Sequence, residues 1–255
     1  MSMINIDICM PTDQTRRRFI ATTGIASVAA LAGCAGNGDG GDGSGNETED
    51  GGDGGDGGTA NRLSWHAGGT GGTYFPLSNE IKTIVEANTD FSLNVQSTGA
   101  SVENVGSLSD GSADFALIQN DIASFAKNGT GIDAFEDNAI ESLQGVATLY
   151  PETITLVTLA GSDISTIDDL SGATINTGDL GSGTQVNANQ ILESAGISDY
   201  SEQNAGFSQA SEQLANGDID AAFVVGGWPV GAIEDLANTN DVQIVPIDGE
   251  IRETV

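Results

Sequence analysis

The sequence has few of the residues on which nucleic-acid-binding proteins depend. Its 255 residues contain seven lysines and arginines against 37 acidic residues, which gives a formal net charge of −30. Because phosphate backbones are bound by clustered lysine and arginine, this balance argues against a nucleic-acid-binding protein. It also disfavours docking of a basic patch on anionic lipid. The acids are scattered along the chain, which indicates a solvated surface suited to high salt, as in halophilic proteins.

Cysteine and histidine are almost absent, which excludes further classes of site. Cys9 and Cys34 both precede residue 61, so the rest of the chain has no disulfide and no thiolate metal site. His66 is the only histidine, so no histidine cluster for zinc or copper exists, and we interpret it as a structural or cleft-lining residue. The chain has no G-x-S-x-G motif and no P-loop lysine. We therefore expect no cofactor, no metal and no catalytic residue.

The first 60 residues are predicted to be export and tether sequence. Arg16-Arg17-Arg18 precede a short apolar run that ends in Leu31-Ala-Gly-Cys34. This order resembles a twin-arginine signal peptide over residues 1–33, followed by a lipoprotein cleavage box that leaves Cys34 as the lipidated residue. A basic amphipathic arm is the alternative interpretation. Residues 34–60 are rich in glycine and aspartate without apolar periodicity, which predicts a disordered tether.

From residue 61 onward, strand and helix patterns alternate in two similar halves. Leu108, Gly111, Asp114 and Ala116 are matched by Leu214, Gly217, Asp220 and Ala222, all at an offset of 106 residues. Such a repeat of helix, glycine, turn and strand predicts two α/β lobes of one design, over 61–152 and 153–255. We place hinge strands near 153–159 and a further strand over 145–149. Pro76 is predicted at the first position of a helix, and Ser101 is predicted to cap the next helix.

The polar, glycine-rich segments all follow predicted strands. In open parallel sheets, ligands bind beyond the carboxyl ends of the strands, so two such edges facing each other predict a clamshell cleft. Turns without Cβ atoms also expose backbone N–H groups at helix N-termini, where an anion is favoured. Each of the two glycine-rich turns, 68–73 and 181–184, could by itself instead be a tight turn that binds no ligand. Tyr74 and Trp228 are candidates for an apolar wall of the cleft.

Several motifs together resemble the TAXI-type solute receptors of tripartite ATP-independent (TRAP) transporters. The motifs are GGTGGTYFP (68–76), STGASVENV (97–105), GSADFALIQND (111–121), GSGT (181–184) and GGWP (226–229). The resemblance implies a two-lobed, type II periplasmic-binding-protein clamshell that hands a small carboxylate, such as a glutamate-like amino acid or another organic acid, to TRAP permease subunits. Members of that family continue beyond residue 255, so the resemblance also implies that this chain lacks the C-terminal return segment. By matching motif, the ligand contacts implied are Thr70, Gly71, Gly72, Tyr74, Ser101, Gln119, Asp121, Ser182, Gly183, Thr184, Gly227 and Pro229.

Two other functions stay open at this stage. The acid pairs Asp168-Asp169 and Glu234-Asp235 leave room for an enzyme on a binding-protein-like scaffold, and a ligand-sensing lipoprotein without a permease fits the export signal equally well. For a receptor, the scarcity of cations predicts that backbone N–H groups hold the carboxylate. A Cβ added at Gly72 or Gly183 is then expected to block the approach of the ligand.

Overall fold

The computed structural model describes residues 61–247, 249 and 251. The predicted signal peptide, Cys34 and the tether lie outside these residues. The strands described are β1 (Asn61–His66), β2 (Phe91–Gln96), β3 (Phe115–Ala116), β4 (Thr153–Leu159), β5 (Thr174–Asn176), β6 (Ser201–Gln203), β7 (Ala221–Gly226) and β8 (Val242–Val245). The helices described are α1 (Tyr74–Asn88), α2 (Ser101–Asp110), α3 (Asn120–Asn128), α4 (Gly183–Ser194), α5 (Phe207–Asn216), α6 (Gly231–Ala237) and a 3₁₀ helix over Ile167–Leu170.

The strands form two separate sheets, each with its own helices. The N-terminal lobe has a parallel sheet of order β2-β1-β3, with α1, α2 and α3 in the connections. The C-terminal lobe has a sheet of order β6-β5-β7-β4-β8, in which β5, β6 and β7 are parallel and β4 runs antiparallel to both β7 and β8. Parallel strands need crossover connections, which explains why helix and strand patterns alternate in the sequence.

The core of the C-terminal lobe is built on both faces of β7. Every residue of this strand is buried, and its side chains alternate between two apolar clusters. Phe223 joins Leu192 of α4 on one face, whereas Val224 joins Leu214 of α5 on the other. A strand covered by helices on both faces must be apolar throughout. Each large apolar side chain buried here contributes about 1.5–3 kcal/mol relative to an exposed position.

The sequence repeat coincides with matching hydrogen bonds in the structure. Gly111 and Gly217 end α2 and α5 in the left-handed conformation, with φ of 79° and 75°. Three residues later, Asp114 Oδ2 accepts a hydrogen bond of 2.8 Å from the N–H of Ser64 in β1. Asp220 Oδ2 accepts the equivalent bond of 2.7 Å from the N–H of Thr174 in β5. The two lobes therefore share one way of joining a helix to the next parallel strand.

Three local predictions differ from the structure. Helix α1 begins at Tyr74, so Pro76 is its third residue, where the N–H that proline lacks would have no intrahelical acceptor in any case. Ser101 is the first residue of α2 rather than its cap, and Ala100 precedes it with φ of 74°. Residues 145–149 form no strand, because this segment pairs with no strand among the described residues. Val146 is 81% exposed there despite its apolar side chain.

Candidate functional site

A cavity lies between the two lobes, at the carboxyl ends of their parallel strands. Its walls come from the loops after β1, β2 and β3 in the N-terminal lobe and after β5 and β6 in the C-terminal lobe. Residues between the lobes complete it, at Tyr150 and Glu152. The cavity has a volume of about 50 Å³. Since one enclosed water needs about 10–15 Å³, this volume holds about three to five waters.

The structure brings together seven of the twelve residues predicted to contact a ligand. These seven line the cavity from both lobes: Gly72, Tyr74, Ser101, Gln119, Ser182, Gly183 and Thr184. The other five are not among its lining residues: Thr70, Gly71, Asp121, Gly227 and Pro229. Thr70 and Pro229 are exposed. Trp228 is 56% exposed outside the cavity, so the expectation that it forms a cavity wall is wrong, whereas Tyr74 does form one. His66 is buried but does not line the cavity.

Three of the predicted residues outside the cavity join the lobes directly. The carbonyl oxygen of Gly71 accepts a hydrogen bond of 3.1 Å from the N–H of Ala232 at the start of α6. The N–H of Gly227 donates to Thr73 Oγ1 at 3.0 Å. Asp121 Oδ2 accepts a bond of 2.7 Å from Asn187 Nδ2, which belongs to α4. These residues join the lobes instead of lining the cavity.

A chain of polar side chains crosses between the lobes beside the cavity. Ser101 Oγ accepts a hydrogen bond of 3.0 Å from the N–H of Gln119. Gln119 Nε2 then donates to Asn187 Oδ1 at 2.7 Å, and Asn187 donates in turn to Asp121. Ser101, Gln119 and Asn187 are buried, so each of these bonds satisfies groups that water no longer reaches. Gln119 therefore has two roles, as a lining residue and as a link between the lobes.

The turn before α4 presents a carbonyl group to the opposite lobe. The carbonyl oxygen of Gly181 accepts hydrogen bonds of 3.1 Å from the N–H groups of both Val102 and Glu103. These donors belong to the first turn of α2, which has no intrahelical acceptor for them. The N-terminus of α2 is thus occupied by a carbonyl of the C-terminal lobe. The sequence predicts this turn as a source of N–H donors, and the structure adds that its Gly181 carbonyl is an acceptor for the opposite lobe.

The N-terminus of α4 faces the cavity, and the first backbone N–H groups of this helix stay available as donors, unlike those of α2. Ser182 caps the helix, since its hydroxyl accepts a hydrogen bond of 3.0 Å from the N–H of Gln185. Gly183 and Thr184 follow, and their N–H groups lie in the first turn, where no intrahelical carbonyl accepts them. Thr184 is only 4% exposed and also lines the cavity. A carboxylate at this position would meet backbone donors, a hydroxyl and the positive end of the helix dipole.

One carboxylate in the cavity wall is held by two tyrosines. Tyr74 donates to Glu152 Oε2 at 3.2 Å, and Tyr150 donates to Glu152 Oε1 at 3.1 Å. Burial raises the pKa of Glu152, and the nearby Asp121 adds to the rise, whereas the two hydroxyl donors oppose it. Burial and the Glu152 charge also raise the pKa of both tyrosines, so their hydroxyls stay protonated and remain donors.

Sequence reasoning missed several of the lining residues, notably Thr73, Tyr150, Glu152 and Asp179. Tyr150 and Glu152 flank Pro151 between two predicted strands, and that position alone indicates only a loop. Thr73 and Asp179 belong to the two glycine-rich turns, so a signal for them existed in the motifs themselves. Tyr74 and Glu152 are 78 residues apart in the sequence. No local pattern around residue 150 or 152 could therefore have indicated that Glu152 contacts Tyr74.

The described residues contain no group of three or more histidine, cysteine, aspartate and glutamate side chains suited to a metal ion. Among the helices in this part of the chain, none is long and apolar enough to cross a membrane. The acid pairs considered for hydrolysis do not line the cavity. Asp169 instead closes a capping box on the 3₁₀ helix.

Comparison with known proteins identifies the family. The sequence profile of the NMT1-like family matches residues 66–255. This range covers most of the chain and includes every residue that lines the cavity. The chain belongs to the NMT1-like family. TAXI-type receptors are a narrower group, and membership of that group stays a prediction from the motifs.

Solved structures of solute-binding proteins share the fold. An ancestral arginine-binding protein bound to arginine aligns with a TM-score of 0.51 at 16% identity, covering 74% of this chain and 81% of that one. The substrate-binding protein of an amino-acid ABC transporter aligns at 0.49 and 17% identity, covering 74% and 80%. A substrate-binding protein of an amino-acid ABC transporter from Streptococcus pneumoniae, bound to L-arginine, aligns at 0.49 and 14%, covering 74% and 76%. The predicted fold class, an α/β clamshell of the type II periplasmic-binding-protein kind, is confirmed.

Proposed function

We propose that this member of the NMT1-like family is an extracytoplasmic receptor that captures a small organic acid without chemical change. The observation that carries the proposal is the cavity itself, which lies between two lobes at the carboxyl ends of their strands. Open α/β sheets bind ligands at that edge, and a cleft with an unoccupied helix N-terminus suits a carboxylate. Thr184, which lines the cavity at the start of α4, supports the placement of the carboxylate there.

The ligand is proposed to be held by backbone N–H groups rather than by a cationic side chain. Among the described residues the cations are Arg62, Lys82 and Lys127, and none of them lines the cavity. Lys82 lies 3.9 Å from Glu86 on α1, and Lys127 donates to backbone carbonyls at residues 141 and 143. Hydrogen bonds to a charged group contribute about 1.5–3 kcal/mol each, so a few N–H donors suffice to hold a carboxylate.

Delivery to TRAP permease subunits, export through the twin-arginine signal and anchoring through Cys34 complete the proposal. They rest on the motifs shared with TAXI-type receptors and on the order of residues 16–34. The solved structures reported above include a receptor of an ABC transporter. An ABC transporter is therefore the alternative to a TRAP permease as the partner of this chain. We favour a receptor over an enzyme on this scaffold because the acid pairs Asp168-Asp169 and Glu234-Asp235 do not line the cavity.

The first experiment is a ligand screen by thermal unfolding in molar salt, followed by calorimetry on each ligand that raises the unfolding temperature. We expect small carboxylates to stabilise the full chain and to be recovered unchanged. Conversion of a bound ligand would indicate the enzyme alternative. Uptake by vesicles that contain the candidate permease should then follow an ion gradient without ATP. An absolute requirement for ATP would instead assign the receptor to an ABC system.

A further inference from the structure

The chain of polar side chains between the lobes has a direction, which its charged end sets. Asp121 carries a carboxylate, whose oxygens can only accept hydrogen bonds. Asn187 must therefore point its amide nitrogen at Asp121, and a bond of 2.7 Å joins Nδ2 to Oδ2. The oxygen of the Asn187 amide is left to face Gln119, where Oδ1 accepts a bond of 2.7 Å from Gln119 Nε2. Each amide is thus oriented by the group before it.

The same direction decides which end of the Gln119 amide lies at the cavity. Its Nε2 is turned towards Asn187, which does not line the cavity. Its Oε1 is turned towards Ser101 and Gly183, which both line it. The Ser101 hydroxyl lies 3.4 Å from Oε1, longer than is usual for a hydrogen bond between oxygens. Since an amide oxygen has two lone pairs, Oε1 keeps capacity for a donor from a ligand.

Burial makes this orientation costly to reverse. Asn187 and Gln119 are 3% and 7% exposed, so water does not replace the bonds that a turned amide would lose. A half-turn of Gln119 alone would bring its oxygen against Asn187 Oδ1. A half-turn of both amides would bring Asn187 Oδ1 against the carboxylate of Asp121 instead. Every reversed arrangement therefore opposes two acceptors in a buried place, which hydrogen-bonded networks avoid.

We propose that Asp121 and Asn187 are positioning residues, which hold the oxygen of the Gln119 amide at the cavity and so favour a ligand with a hydrogen-bond donor at that place. Neither positioning residue lines the cavity, so both act through Gln119. The motif resemblance implies a direct ligand contact for Asp121, and the proposal gives it an indirect role. The ligand preference rests on the proposed receptor function, whereas the orientation of the amide does not.

The orientation is tested by NMR on the full chain with isotope-labelled glutamine and asparagine side-chain amides. In the unaltered protein, we expect stronger nuclear Overhauser effects from the Gln119 amide protons to Asn187 than to Hα of Gly183. Asp121→Asn introduces an amide that can also donate, so the chain can run in either direction. We expect a second set of Gln119 signals, with effects to Gly183. Asp133→Asn removes the same charge at an exposed position and should leave the pattern unchanged.

A double variant distinguishes orientation from packing at residue 121. In Asp121→Asn with Asn187→Asp, the carboxylate lies at position 187 and Gln119 must again donate to it. We expect a single set of Gln119 signals with the orientation of the unaltered protein. A purely structural role of Asp121 would leave the double variant as perturbed as the single one, or more so.

The ligand preference is tested by calorimetry on a hydroxy acid and its O-methyl ether, with malate and 2-methoxysuccinate as the first pair. The hydroxyl can donate to Gln119, whereas the ether oxygen cannot. We expect malate to bind about tenfold more tightly to the unaltered protein, as for one hydrogen bond replaced by two opposed acceptors. Asp121→Asn should reduce this preference to about twofold or less, and the double variant should restore it.

Two NMR results would overturn the inference even if a variant does not fold or no ligand is found. They are a Gln119 amide whose protons lie closer to Gly183 than to Asn187 in the unaltered protein, and an unchanged Gln119 pattern in folded Asp121→Asn. Equal affinity for the paired acids, or a screen in which every bound acid lacks a hydrogen-bond donor, would overturn the preference and leave the receptor function intact. A screen without any bound acid would overturn the receptor function and the preference, while the NMR result would still decide the orientation.

Discussion

Replacing Gly183 by alanine should weaken ligand binding because it prevents the lobes from closing. A Cβ at this position would overlap the side-chain amide of Gln119 and lie 3.1 Å from Cγ1 of Ile122, which is fully buried. Gln119 cannot move aside freely, because its amide is bonded to Asn187 across the lobes and its oxygen contacts Ser101. The clash therefore acts on the contact between the lobes.

The size of the effect follows from what must be displaced. Each lost hydrogen bond costs about 0.5–1.5 kcal/mol, and overpacking a buried position costs about 1–3 kcal/mol. We expect a total of about 2–4 kcal/mol, which corresponds to a loss of affinity of roughly thirtyfold to a thousandfold. Gly72→Ala is the matched control within the same cavity. Its Cβ would lie 3.4 Å from the ring of Phe207, an ordinary contact, so we expect less than about a threefold change.

Calorimetry with the best ligand from the screen measures both affinities, and small-angle scattering with and without ligand reports closure. We expect Gly183→Ala to bind weakly and to stay open with ligand present. The reasoning would be refuted if Gly72→Ala lost as much affinity as Gly183→Ala while closing normally. That result would return the explanation to the one suggested by sequence, in which both glycines matter because a ligand approaches their backbone.

Three further predictions concern positions away from the cavity. Asp169 accepts hydrogen bonds from Ser165 and Thr166, which lower its pKa from 3.8 to about 2. A depressed folded-state pKa gives stability that is present above pH 3.8 and lost as the pH falls towards 2. The urea midpoint of Asp169→Asn should therefore change less between pH 3.8 and 2 than that of the unaltered protein. An equal change of the midpoint with pH in both proteins would contradict the lowered pKa of Asp169. Asp114→Ala and Asp220→Ala should each lower the free energy of unfolding by about 0.5–1.5 kcal/mol, because each removes an acceptor for a strand N–H; a clear effect at only one position would contradict their equivalence. Cys34→Ala should still be exported but should leave the membrane fraction, whereas unchanged fractionation would exclude lipid anchoring.

Much of the fold could be predicted because its signals are local. Gly111 and Gly217 end helices in a conformation that glycine adopts without strain, and the aspartates three residues later bind the neighbouring strand in both lobes. The position of polar, glycine-rich turns after strands follows from parallel-sheet topology, so the edge that forms the cavity could be located from the alternation of patterns alone. Residues 145–149 show the limit of this reasoning, since an apolar strand pattern forms no strand without a neighbour to pair with.

Only the tertiary structure decided which residues of that edge face the cavity and which join the lobes. Gly71, Asp121 and Gly227 lie in the predicted motifs, yet their hydrogen bonds run to the opposite lobe or its connection. Glu152 carries no motif, yet packing brings it within hydrogen-bonding distance of Tyr74. Residue type and spacing determine local backbone conformation over a few residues. The contacts between lobes depend on how two complete sheets with their helices pack against each other, which no short segment of the chain encodes.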